Sequence, residues 1–163
     1  MYTLEMNQPA RLHFIGIGGI SMSGLAAILL DRGFSVSGSD SHESELTRRL
    51  EAQGAQIAYE QVASNITDDI DAVVYTAAIH PSNPEYAAAV QKGLPLLTRA
   101  ELLGQMMKQY RLPICVSGTH GKTTTTSMAA HILMAAGMDP TISVGGTLPL
   151  IGGNYRIGGT DTF

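Results

Sequence analysis

The sequence predicts an α/β fold built on a parallel sheet, and three observations carry that prediction. From Arg11 onward short apolar runs alternate with stretches of helical period, the pattern of successive βαβ units. Two junctions between an apolar run and a helical stretch are rich in glycine and small polar residues, "GIGGISMSG" at 16–24 and "SGTHGKTTTT" at 117–126. Apolar residues make up 44% of the 163 residues and charged residues 15%, enough to fill a core and unlike a disordered composition.

Taken in order, "RLHFIGI" (11–17) reads as a buried strand, and "SMSGLAAILLDRG" (21–33) as a helix closed by Gly33, the usual place for a left-handed cap. "FSVSGSD" (34–40) is the next strand. "ESELTRRLEAQG" (43–54) carries Leu46 and Leu50 as an i,i+4 apolar pair among charges, an amphipathic helix ending at Gly54. "AQIAYE" (55–60) is a weak third strand, whereas "DAVVYTAAI" (71–79) is continuous in apolar residues, as a strand covered on both faces requires. "NPEYAAAVQKG" (83–93) follows as a helix, "LPLLT" (94–98) as a fifth strand and "AELLGQMMKQY" (100–110) as a further helix.

At "RLPICVSG" (111–118) a second cycle begins: strand, glycine loop, the long helix "KTTTTSMAAHILMAAG" (122–137) and the strand "TISVGG" (141–146). The expected division is therefore one domain over residues 1–110 and the start of another over 111–163. Strand, helix and strand alone bury too little apolar surface to be stable, so the chain reads as part of a longer protein. The half-built second sheet leaves edges that invite pairing with a second copy.

Several function classes are excluded. A net charge of −4 with no basic block argues against nucleic-acid binding, so anionic ligands must be held by local devices. No apolar run reaches the ~18 residues of a membrane helix, and the first residues lack the order of a signal peptide. Cys115 is the only cysteine, which fits a reducing compartment and the cytoplasm; its place in an apolar run predicts a buried, inert thiol.

The junction near residue 120 carries the sharper chemistry. In a phosphate-binding loop, backbone amides and a helix N-terminus point at phosphate oxygens and a lysine adds a full charge. Val116 stands where the G-x-x-x-x-G-K-[ST] pattern has its first glycine, so the loop is a variant starting at Gly118. Gly118, Thr119, His120, Gly121 and Thr124 then belong to a nucleotide phosphate loop, Lys122 reaches the β- and γ-phosphates, and Thr123 offers its hydroxyl to Mg²⁺. The alternative is a plain strand-to-helix turn with a capping threonine.

In the earlier loop Gly16 and Gly18 fit G-x-G-x-x-G, but its sixth position is Ser21. Asp40 closes the second strand, placed to bind ribose hydroxyls or to cap the following helix. On these residues alone NAD is the first ligand to consider. Thr76, Ala77, Ala78 and Ile79 should reach the same carboxyl-edge crevice. His80 reads as a solvated loop residue and His42 and His131 as structural, while Met106, Met107, Met128, Met134 and Met138 read as core or domain-contact residues.

"GTHGKTT" (118–124) resembles the ATP loop of the Mur ligases, which build the peptide of the bacterial cell-wall precursor; "HFIGIGGISMSGLA" (13–26), "VSGSD" (36–40) and "RAELLGQMM" (99–107) extend the likeness from Arg11 to the end. The resemblance implies a Rossmann-like N-terminal domain followed by the start of a P-loop-type central domain. It implies that the first loop holds the UDP part of UDP-N-acetylmuramate, with no redox cofactor. Gly16, Gly18, Gly19, Ser21, Met22 and Ser23 would then line the diphosphate, with Asp40 near the nucleoside. Within the family the likeness is to members that use ATP and Mg²⁺ to join L-alanine to that nucleotide sugar. There the γ-phosphoryl moves to the lactyl carboxylate and the amine attacks the resulting acyl phosphate, Lys122 neutralising charge on the transferred group. A ligase that adds a ready-made tripeptide to the same sugar shares both loops and is one alternative. A non-catalytic nucleotide-binding module is the other, because family members continue beyond "RIGGTDTF" into further catalytic parts; the 163 residues alone are expected to be inactive.

Overall fold

The structure is a computed structural model that describes residues 2–5 and 7–163. The chain divides into two compact units, Met1–Gln105 and Met106–Phe163.

In the first unit the elements are β1 (Arg11–Ile15), α1 (Ile20–Asp31), β2 (Ser35–Ser39), α2 (Glu45–Ala52), β3 (Gln56–Ala58), β4 (Ala72–Tyr75), α3 (Pro84–Gln91), β5 (Leu96–Thr98) and α4 (Arg99–Met107), the last running past the division. The five strands form one parallel sheet in the order β3-β2-β1-β4-β5. Successive strands build outward from β1 on one side, and then β4 restarts on the other. The carboxyl ends of β1, β2 and β4 lie level, Ile15 pairing with both Ser39 and Tyr75, so a crevice opens at the switch point between β1 and β4.

Both faces of β1 are covered, with Leu12, Phe14 and Ile15 wholly buried, which is why this strand reads as an unbroken apolar run. α1 is buried from Met22 to Leu29, so its apolar residues surround the helix instead of marking one stripe. α2 is amphipathic and starts with a reciprocal capping box between Ser44 and Thr47. Gly33 (φ 86°) and Gly54 (φ 103°) adopt the left-handed conformation just after these two helices, as the sequence predicts. On the other side of the sheet Ile15, Ile66, Ile70, Val73 and Ala89 form a buried cluster. Complete burial of such a valine or isoleucine contributes about 1.5–3 kcal/mol.

β4 is shorter than its apolar run. It stops at Tyr75, the last residue paired with both β1 and β5, and Thr76–Ile79 fold into a turn closed by Ile79 N–H donating to Thr76 O at 3.0 Å. Beyond Tyr75 there is no neighbouring strand to continue the ladder.

The second unit holds α5 (Lys122–Ala135), β6 (Ile142–Leu148) and β7 (Gly153–Arg156). Two corrections arise here. "RLPICVSG" forms no regular strand; it pairs only with the segment at 161–163, through a bridge between Leu112 and Thr162 and Ile114 N–H donating to Phe163 O at 2.8 Å. With a single partner it is not enclosed, so Ile114 is 42% exposed and Cys115 is exposed, not a buried thiol. β6 extends past "TISVGG" to Leu148 and returns as β7 in an antiparallel hairpin. Pro149 and Gly152 (φ 66°) bracket its turn. Ala130, Ile142, Val144 and Leu148 form the small core, with Met134 packed against it. Met106 is buried, but Met128 is 60% exposed and belongs to no core. Among the described residues no helix is long and apolar enough to cross a membrane.

Candidate functional site

The glycine loop of the first unit hangs from the carboxyl end of β2. The Ser39 carbonyl accepts the amides of Gly16 at 2.8 Å and Ile17 at 2.9 Å, and Asp40 Oδ2 accepts the amide of Gly18 at 2.8 Å. Three loop amides are thereby fixed from one strand end. Close approach explains the glycine before this serine: a Cβ on Gly38 would lie 2.7 Å from the Phe14 carbonyl oxygen. A Cβ on Gly18 would lie 2.8 Å from Asp40 Oδ2.

α1 begins directly after the loop with Gly19 as its N-cap and no side-chain cap. The Ser23 amide already donates to Gly19 O at 2.8 Å, and its hydroxyl donates to Ile20 O. The amides of Ser21 and Met22 precede the first i→i−4 bond, so helix geometry leaves them to point outward with the positive end of the dipole. The predicted diphosphate residues therefore separate. Gly16, Gly18, Gly19 and Ser21 form the accessible wall, whereas the Met22 and Ser23 side chains are buried and only the Met22 backbone is placed to serve.

Asp40 does not cap α2; Ser44 does, accepting from the Thr47 amide. Its other oxygen takes the Ser41 amide. Thr76–Ile79 follow β4 beside β1 and so flank the glycine loop across the crevice, Ala77 and Ala78 being exposed. His80 is an exposed loop residue hydrogen-bonded to Ser82, His42 pairs with Ser41 at the surface, and His131 is exposed on α5.

Sequence reasoning missed a buried polar group beneath this crevice. Glu85, in the first turn of α3, is fully buried; Oε2 accepts from the Ser39 hydroxyl and Oε1 from the Asn65 amide, each at 2.5 Å. His13 Nε2 lies 3.6 Å from Glu85 Oε1, and His13 Nδ1 sits 3.0 Å from Ser37 Oγ. The visible signal was a histidine inside the apolar run of β1. Glu85 itself stands in the first turn of α3 after the Asn83 cap, a common place for an acidic residue that gives no sign of burial.

In the second unit Gly121 (φ 77°) is the N-cap of α5 and Lys122 its first residue. The Lys122 ammonium curls back over its own loop, donating to Gly118 O at 2.5 Å and Thr119 O at 3.2 Å. Thr119, His120, Thr123 and Thr124 are exposed around it. β6 passes close beneath: a Cβ on Gly146 would sit 3.4 Å from Thr123 Cγ2, so the paired glycines of "SVGG" let the strand approach. Among the described residues no group of three or more His, Cys, Asp or Glu could hold a metal. The Thr123 hydroxyl fits the sparse donor set of a phosphate-loop Mg²⁺, which takes most of its ligands from nucleotide oxygens and water.

A parallel sheet with a glycine loop at its switch point, followed in the second unit by a glycine loop that leads through a lysine into a helix, defines an α/β protein with one glycine loop before α1 and another before α5. The chain belongs to the Mur ligase family, whose model, described as "Mur ligase family, catalytic domain", matches residues 11–111. UDP-N-acetylmuramate–L-alanine ligases of Lachnospira eligens and Agathobacter rectalis are 65% and 62% identical to it over all 163 residues. The chain spans 36% of the length of each. Among solved structures, the UDP-N-acetylmuramate–alanine ligase MurC of Thermotoga maritima superposes with a TM-score of 0.84 at 35% identity, over 93% of this chain and 36% of that one. The UDP-N-acetylmuramate:L-alanyl-γ-D-glutamyl-meso-diaminopimelate ligase of Neisseria meningitides gives the same TM-score at 33% identity, over 92% of this chain and 47% of that one.

Proposed function

We propose that this chain carries the nucleotide-sugar site and the phosphate loop of a cytoplasmic, ATP-dependent ligase that joins L-alanine to UDP-N-acetylmuramate. Residues 1–110 bind the nucleotide sugar and residues 111–163 begin the ATP-binding part. The observation that carries the reading is the loop at 16–19 suspended from Ser39 and Asp40, with the first-turn amides of α1 open to a diphosphate. Gly16, Gly18, Gly19 and Ser21 line the diphosphate with the Met22 amide, Asp40 lies toward the nucleoside, and Thr76–Ile79 form the facing wall.

In this reaction the lactyl carboxylate of the sugar takes the γ-phosphoryl of ATP, and the amine of L-alanine displaces phosphate to form the amide. Lys122 leaves the carbonyls of Gly118 and Thr119 and places its charge against the transferring phosphoryl oxygens, while the amides of 118–124 hold the remaining phosphates. Mg²⁺, held in part by Thr123, would supply further neutralisation of phosphate charge. Fold alone does not separate this reaction from ligation of a tripeptide, since both solved relatives superpose equally well. The 65% and 62% identities favour L-alanine.

The test is made in a protein of the relatives' full length that carries these residues. Lys122→Ala should lower turnover about 100-fold or more, the scale for losing a group that stabilises transition-state charge. Its affinity for UDP-N-acetylmuramate should stay within about twofold of the parent. Near-parent turnover in Lys122→Ala would show that "GTHGKTT" is a structural turn.

A further inference from the structure

We infer that Glu85 is a positioning residue for the nucleotide-sugar loop and acts through Ser39; the inference rests on the reading of that loop as the nucleotide-sugar site. Glu85 occupies the second position of α3, and no part of its side chain reaches solvent. A carboxyl group in such a place is costly unless its oxygens are met by donors. They are met from two directions, the Ser39 hydroxyl on Oε2 and the Asn65 amide on Oε1. His13, 2% exposed, closes the third side: its Nε2 faces Oε1 at 3.6 Å and has no hydrogen-bond partner of its own.

Ser39 connects this buried group to the surface. Its hydroxyl is held by Glu85, while its carbonyl holds the amides of Gly16 and Ile17 and the next residue, Asp40, holds that of Gly18. Where Ser39 sits therefore decides where the glycine loop sits. Glu85 also belongs to the first turn of the helix that follows residues 76–83, and its own amide is capped by Asn83 Oδ1 at 3.0 Å. One carboxyl group thus spans the switch point, tying the loop after β1 to the helix that ends the loop after β4. Burial alone could be met there by a leucine, which sets no distance to Ser39. A carboxyl oxygen at hydrogen-bond length does set one, and the two walls of a diphosphate site need fixed spacing because amide donors act only over a few tenths of an ångström.

The experiment compares the parent 163-residue chain with Ser39→Ala, Glu85→Leu, their double and Glu85→Gln, the last keeping the reach and one acceptor oxygen for the Ser39 hydroxyl. Affinity for UDP-N-acetylmuramate is measured by calorimetry well below each melting temperature, together with the Gly16 and Ile17 amide resonances. Ser39→Ala and Glu85→Leu should each raise Kd about tenfold, and the double should add little to the larger single effect, as for residues acting in one network. Glu85→Gln should stay within about threefold of the parent. In both disrupting variants the Gly16 and Ile17 amides should shift. Variants that melt earlier but keep the parent Kd and unmoved resonances would overturn the inference, leaving Glu85 a stabiliser of the fold only. If the parent binds no nucleotide sugar, the functional reading fails separately; the resonances then decide, displacement supporting the link and constancy refuting it.

Discussion

Asp40 and Gly18 face each other so closely that no side chain fits between them. A β-carbon at 18 would meet the carboxylate at 2.8 Å, and the only relief is to push Asp40 off the Gly18 amide or to lift the loop. Gly18→Val should therefore abolish measurable binding of UDP-N-acetylmuramate while the sheet stays folded, checked by calorimetry alongside circular dichroism. Unchanged affinity would remove the loop from the site. Cys115 carries a second prediction at this scale: its exposure makes it a target for a thiol reagent in the native chain, and modification should proceed without denaturant. The two residues differ in how readable they were. The place of Gly18 in a loop between a strand and a helix was readable from the G-x-G spacing, although the sixth position of that motif is Ser21; the close approach of Asp40 was not. Cys115 misled because an apolar run implies burial only if neighbours cover it, and the neighbours are not written in the run.

At the scale of elements the same distinction recurs. α1, α2 and their closing glycines were legible from periodicity and from Gly33 and Gly54, since helix signals are local. Strand limits were not, because a strand ends where its partners end: β4 stops at Tyr75 despite four further residues of apolar character or small size. Likewise β7 depends on a hairpin at Pro149 and Gly152, and its residues 153–156 carry no apolar run that marks a strand by itself. The pairing of 112–114 with 161–163 is fastened by Arg111, whose guanidinium donates to both oxygens of Asp161. Those hydrogen bonds hold the Asp161 carboxyl below the usual aspartate range. A depressed folded-state value means that the stabilisation is fully present above the unfolded value, about 3.9, and is lost as pH falls through the lower folded one. Amides of Leu112 and Ile114 should therefore gain exchange protection from pH 3 to about 5, beyond the intrinsic pH dependence of exchange, and Asp161→Asn should remove that gain. A protection profile identical in the variant would contradict the role given to this pair.

For the whole molecule, the two units differ in how well they enclose their apolar residues. The first has a five-stranded sheet covered on both sides, whereas the second leaves Ile114, Met128 and Ile132 between 42% and 66% exposed around a two-stranded hairpin. Hydrogen exchange should be slow in β1, β2 and β4 and markedly faster in α5 and β6 of a monomeric sample. Equal protection would contradict the difference in packing. The crevice at the switch point lies wholly in the first unit, so its ligand chemistry should be accessible in this chain by itself. Calorimetric titration of the chain with UDP-N-acetylmuramate, and separately with NADH, tests that claim most directly. The nucleotide sugar should give a saturable, one-to-one isotherm that Gly18→Val abolishes, and NADH should give no heat beyond dilution. An isotherm for NADH, or none for UDP-N-acetylmuramate, would contradict it.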